Sequence, residues 1–161
     1  MMKIQLVEAY DRVEDVRQIF AEYTAWFLQL DPKMQDSLDQ QHYEDEILHL
    51  EVKYGKPHGR LYLACIDGRV AGCAGLRQEA DGIGEVKRLF VRPAYRGHHV
   101  GKVLLERIIG DAKAIGYTRL VLDTMPQMAH AVRLYTSLGF RDIPKYNDNP
   151  VDEALFLGRS I

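Results

Sequence analysis

Little in this chain would tie it to a membrane, a disulfide framework or a polyanion. Its 161 residues include only two cysteines. No apolar run approaches the roughly 20 residues of a membrane span, and the longest, such as Leu61 to Ile66, are strand-sized. Net charge is −2 and pI is near 6.3. Nucleic acid and anionic membranes are therefore poor partners. The start, Met1-Met2-Lys3-Ile4-Gln5, lacks the apolar stretch of a secretion signal, so a cytoplasmic protein is expected. Repeats, low-complexity tracts and linkers are missing too.

The two cysteines need a geometric test. Asp67-Gly68 is a two-residue hairpin signal between β-patterned runs. Counting outward sets Ile66 against Arg69, Cys65 against Val70 and Tyr62 against Cys73. That register sends Cys65 and Cys73 to opposite faces of the sheet, as two reduced, core-type residues. The histidines give no metal site: His98-His99 are adjacent, and His42, His49, His58 and His130 lack ligand spacing.

What is present is ordinary globular material, 47% hydrophobic and 27% charged, in a length suited to one domain. Ile4 to Val7 reads as a first strand. Asp11 with Glu14 three residues on has the pattern of a capping box, and Val13, Val16, Ile19, Phe20, Tyr23, Phe27 and Leu30 recur at helical spacing up to Pro32. Asp31 to Glu51 carries seven carboxylates against Lys33 alone, and reads as a solvated face or as a rim attracting a cationic acceptor. Its second half, about His42 to Tyr54, is patterned as a helix.

From Leu61 the pattern turns to β. The hairpin Leu61–Ile66 and Arg69–Arg77 leads through Asp81-Gly82 to a strand over Ile83–Val91. A helix over Val100–Ala114 is capped by Gly116. A strand over Thr118–Thr124, a helix over Met128–Leu138 ending at Gly139, and strands over Phe140–Ile143 and Ala154–Gly158 complete the chain. The length from Val86 to Asp123 suits a right-handed crossover between parallel strands.

Between strand and helix lies Arg96-Gly97-His98-His99-Val100-Gly101-Lys102. A helix opening on such a loop presents unpaired N–H groups and a positive dipole end, a site for phosphate. A Walker loop needs Gly at 96 and Ser or Thr at 103, where this chain has Arg96 and Val103, and no G-x-G-x-x-G is present. The stretch instead resembles the acyl-CoA loop of the GNAT superfamily of N-acetyltransferases, with His99 where glycine is usual. Leu89-Phe90-Val91-Arg92-Pro93 upstream resembles the family's pantetheine-lining strand. Ala131-Val132-Arg133-Leu134-Tyr135-Thr136-Ser137-Leu138-Gly139-Phe140 resembles its second helix, with Met128 where a coenzyme-contacting Asn is common. The likeness runs from about Leu61 to Gly158.

The resemblance implies an α/β (α+β) domain with a mixed sheet of about six to seven strands and about four helices. The sheet's first half would be antiparallel, with a parallel, splayed step in the middle. Residues 1–60 would form a helical acceptor side and 61–161 the acyl-CoA core. It further implies acetyl-CoA as co-substrate, no metal, and an amine acceptor, small molecule or peptide; a homodimer stays open. Cofactor contacts would come from Leu89, Phe90, Val91, Arg96, Gly97, His98, His99, Val100, Gly101, Lys102, Ala131 and Tyr135. Neither face of Glu85–Val91 is cleanly apolar, which fits a sheet edge or a bulge turning one end toward a polar cleft.

An alkylammonium is neutral only about once in 2,500 molecules at pH 7, so a base helps. Glu85 stands where the family's glutamate base is often found, with His99 or His130 as alternatives. Tyr135 matches the family's acid, which protonates the leaving thiolate. The rival expectation is a non-catalytic acyl-CoA sensor that regulates a partner.

Overall fold

A computed structural model of the chain describes residues 3–30, 32, 35 and 43–161. Asp31, Lys33, Asp36, Asp39 and His42 of the acidic segment lie outside these residues. Seven strands form one sheet in the order β1-β2-β3-β4-β5-β7-β6. They are β1 (Ile4–Glu8), β2 (Arg60–Ile66), β3 (Arg69–Ala80), β4 (Ile83–Val91), β5 (Arg119–Thr124), β6 (Arg141–Asp142) and β7 (Leu155–Ser160). Among the described residues only β4 and β5 pair in parallel. The described helices are α1 (Val13–Leu30), α2 (Tyr43–Leu48), α3 (Leu50–Tyr54), α4 (Val100–Ile115) and α5 (Ala129–Ser137). The helix read over His42–Tyr54 is thus two short ones broken at His49.

Alternation along β2 assigns the two sides of the sheet. Tyr62, Ala64 and Ile66 pack with Leu104, Leu105 and Ile108 of α4, while Leu61, Leu63 and Cys65 pack with Ile19 and Phe20 of α1. Burying both faces removes apolar surface worth about 25 cal/mol per Å². The α1 start differs from the capping-box reading: Val16 N–H donates to Arg12 O, which makes Arg12 the N-cap, and Arg12 pairs with Asp15.

The hairpin corrects the cysteine argument. Ile66 faces Arg69 and Cys65 faces Val70 as read, but a bulge then sets Ala64 against Gly72 and Leu63 against Cys73. One extra residue reverses every side chain beyond it. Cys73 therefore shares the α1 face with Cys65, and both thiols are free and buried.

A second bulge shapes β4. Cys73 pairs with Phe90 but Gly75 with Lys87, so Ala74 spans Arg88 and Leu89, and Arg88 takes φ +58°. Before the bulge Val86 faces α4; after it Leu89 and Val91 do, and Phe90 faces α1. The mixed face read along this strand is the signature of that reversal.

Candidate active site at the strand fork

The β4–β5 ladder holds only over Ile83–Arg119, Gly84–Leu120 and Glu85–Val121. Beyond Glu85 the strands part, and the Arg88 bulge steers β4 away. Two clefts open there, one of about 710 Å³ toward the Arg96–Lys102 loop and one of about 1100 Å³ toward α3 and the 145–149 turn. Lys87, Asp123 and Asn149 line both, so the clefts meet between the parted strands.

The smaller cleft has an anion-binding end. Val103 N–H to His99 O is the first hydrogen bond of α4, and the N–H groups of Gly97 through Lys102 have no acceptor among the described residues. Two left-handed residues aim them: Gly97 at φ +85° and His99 at φ +64°. A non-β-branched residue reaches that region at a cost of order 1 kcal/mol, so His99 does the conformational work of glycine. Gly101 is favoured by space instead. A Cβ there would sit 3.2 Å from Leu134 Cδ2, where α4 and α5 close on each other. Arg96 lies with its guanidinium 5.3 Å from the Trp26 ring centre and donates to Val91 O at 3.1 Å. Arg92 clamps Glu22 of α1 at 2.9 and 2.6 Å, which holds the Tyr23-Trp26-Phe27 wall against this end.

A model of the acetyltransferase (GNAT) family matches residues 14–140. The chain belongs to this family. An uncharacterized N-acetyltransferase of Schizosaccharomyces pombe is 32% identical, over 97% of this chain and 93% of that protein. One from Dictyostelium discoideum is 30% identical, over 92% and 94%. The structure of PaiA N-acetyltransferase from Thermoplasma acidophilum in complex with coenzyme A superposes with TM-score 0.76 at 18% identity, covering 99% and 100%. That likeness is one of fold.

The GNAT framework brings most of the expected residues together. Leu89, Phe90, Val91, Arg96, Gly97, His99, Val100, Gly101, Lys102, Ala131 and Tyr135 all line the smaller cleft, and His98 does not. Glu85 lies apart from them in the larger cleft. Tyr135 is buried, packs edge-on against Phe140 at 5.8 Å, and its hydroxyl makes no hydrogen bond among the described residues. Burial raises its pKa well above the ordinary value, so it stays protonated at neutral pH. Met128, in the place of the usual Asn, takes a contact from Thr124 Oγ1 at 3.3 Å and adds an apolar wall. No group of three or more His, Cys, Asp or Glu suited to a metal occurs among the described residues. None of the described helices is long and apolar enough to cross a membrane.

The partners of Glu85 escaped the sequence reading, as did Asp123 and Asn149. Glu85 is held on both oxygens, by Arg77 at 2.7 Å and by the Tyr146 hydroxyl at 2.5 Å. Tyr146 comes from the turn-rich stretch before Pro150 and is fixed by an edge contact with Phe156. Asp123 receives Asn147 at 2.9 Å and Asn149 at 3.0 Å on Oδ2. Burial pushes its carboxyl up, but Lys87 and the two amides outweigh this and hold it below the usual range. Beneath the fork, Arg88 donates to Glu46 at 2.8 and 2.9 Å, and Lys53 and Tyr54 add bonds at 2.7 and 2.8 Å.

Proposed function

We propose that this enzyme transfers the acetyl group of acetyl-CoA to an amine by direct attack, with both substrates bound at once. The observation that carries the reading is the meeting of two clefts at the strand fork: one has an anion-binding end, and the other is lined by charged and polar side chains suited to a second, polar substrate. The residues present fit coenzyme A. Six consecutive free N–H groups at the start of α4 suit a pyrophosphate, and Arg96 and Lys102 add positive charge beside them. Gly101 leaves the backbone open, and Leu89 to Val91 offer an unpaired strand edge to the amide-bearing arm. When bound, acetyl-CoA supplies an activated thioester at the fork.

The chain's own groups then divide the proton work. Tyr135 holds a proton at its hydroxyl where the thiol must be released. On the acceptor side the amine must shed a proton, and Glu85 is the carboxylate assigned to it. Both Glu85 oxygens are engaged, so its role runs through Tyr146. That phenol passes its hydroxyl proton to Glu85 as it accepts one from the cleft. Backbone groups of Leu89 to Val91, on the strand edge freed where β4 leaves β5, would polarise the thioester carbonyl.

Two measurements test this. Acetyl-CoA at 100 times its dissociation constant adds about 2.7 kcal/mol of stability, read as a thermal shift. Thiol release is then followed across a panel of amino acids, amino-acid amides, polyamines, aminoglycosides and peptides. Turnover with at least one amine supports the reading; a thermal shift with no thiol release from any of them returns the chain to a ligand sensor.

A further inference from the structure

Resting on the acetyltransfer reading, we propose that the acceptor is an amino carboxylate, with its ammonium on Asp123 at the fork and its carboxylate on Lys53. The larger cleft carries charges of both signs, but most of its carboxylates are committed. Glu46 takes four donors from Arg88, Lys53 and Tyr54. Glu85 is filled by Arg77 and Tyr146, and Glu79 is held by the same Arg77. Asp45 and Asp148 are exposed at the mouth, where water screens them.

Asp123 and Lys53, of opposite sign and both sheltered from solvent, keep bonding capacity. Asp123 spends Oδ2 on two amides and already feels a backbone hydrogen bond and the charge of Lys87, but no side chain among the described residues donates to Oδ1. It lines both clefts, so an amine docked on it stands at the place where they meet. Lys53 has three N–H donors and places one on Glu46 Oε1 at 2.7 Å. Its side chain is 18% exposed and lines the same cleft.

The charge around Lys53 selects the second group of the acceptor. Burial, and then the nearby Lys87, push its pKa down to about 8, against the pull of Glu46. The Lys53 end of the cleft, which already disfavours its own ammonium, gains from an anion, while the cation is left to Asp123. A polyamine or a plain alkylamine would satisfy Asp123 and leave Lys53 short. An amino carboxylate satisfies both and sets one end of the molecule toward the thioester cleft.

The test compares matched acceptors: amino acids and short ω-amino acids against their carboxamides, with polyamines and peptides alongside. Wild-type kcat/KM for the carboxylates should exceed that for the amides by about tenfold or more. In Lys53→Met the ratio falls toward one. In Asp123→Asn the acceptor KM rises by about tenfold while the KM for acetyl-CoA stays within twofold or so. Thermal melts report whether either variant folds, and the wild-type comparison stands without them. A wild type that favours amides, polyamines or peptides overturns the inference, as does a ratio that Lys53→Met leaves unchanged. Turnover without a carboxylate preference defeats this inference alone, whereas no turnover with any amine defeats the acetyltransfer reading beneath it.

Discussion

Replacing Arg88 by Met tests the ion pair that props the fork open. Glu46 and Arg88 are both buried, at 4% exposure each, and share two hydrogen bonds. Burial alone would raise the Glu46 carboxyl. Arg88, then Lys53, outweigh it and bring it from an ordinary 4.5 to about 2. At about 1.4 kcal/mol per tenfold, that difference is worth about 3 kcal/mol of folding stability. The contribution is present above pH 4.5 and is lost as the pH falls from there through 2. Arg88→Met removes the main partner and leaves the buried carboxylate under-paired, with only Lys53 and Tyr54 among the described residues, at a cost of about 3 kcal/mol. Met has no β-branch either, so the strain at φ +58° is unchanged and the charge is isolated. Adding Glu46→Gln removes the under-paired charge and keeps an acceptor for the Tyr54 hydroxyl, so the double variant recovers about 2 kcal/mol. Urea unfolding at pH 7 reads both values. A single variant costing under about 1 kcal/mol, or a double variant no better than the single, refutes the reasoning.

Other predictions concern the loop and the acid. His99→Val forces a β-branched residue to φ +64° and weakens acetyl-CoA binding about tenfold by calorimetry, while His99→Gly keeps it. Gly101→Val drives a side chain into Leu134 at the α4–α5 contact; it costs about 1–3 kcal/mol in urea unfolding and abolishes the acetyl-CoA thermal shift. Tyr135→Phe lowers kcat about a hundredfold with acetyl-CoA affinity unchanged; equal turnover removes Tyr135 from the chemistry.

Local chemistry made much of this molecule legible. Asp67-Gly68 gave the hairpin, Gly116 the end of α4, and Arg96 to Gly101 the loop, because each signal acts over a few residues. His99 was marked as the departure from glycine, and it holds the left-handed backbone that glycine would. The register of the same hairpin was not legible. A bulge near Ala71 is chosen by packing on both faces of the sheet, and it moved Cys73 to the other side. Pairings such as Glu46 with Arg88, 42 residues apart, leave no local pattern. Tyr146 and Asn149 lay in a stretch rich in turn residues, where nothing distinguishes a loop that solvent covers from one folded over a cleft. Trp26 likewise stood among helical aromatics that read as core, and its place beside Arg96 depends on how α1 crosses the sheet.

Single-turnover transfer with isotopically labelled acetyl-CoA tests the central claim most directly. The two cysteines are buried and neither lines either of these clefts, so no cysteine thiol stands where it could take the acyl group ahead of the amine. Mass spectrometry of a quenched reaction should find the label on the acceptor nitrogen, in step with free thiol, and none on the protein. Label held covalently on the chain before it reaches the amine, or thiol released with no labelled acceptor, would contradict the account.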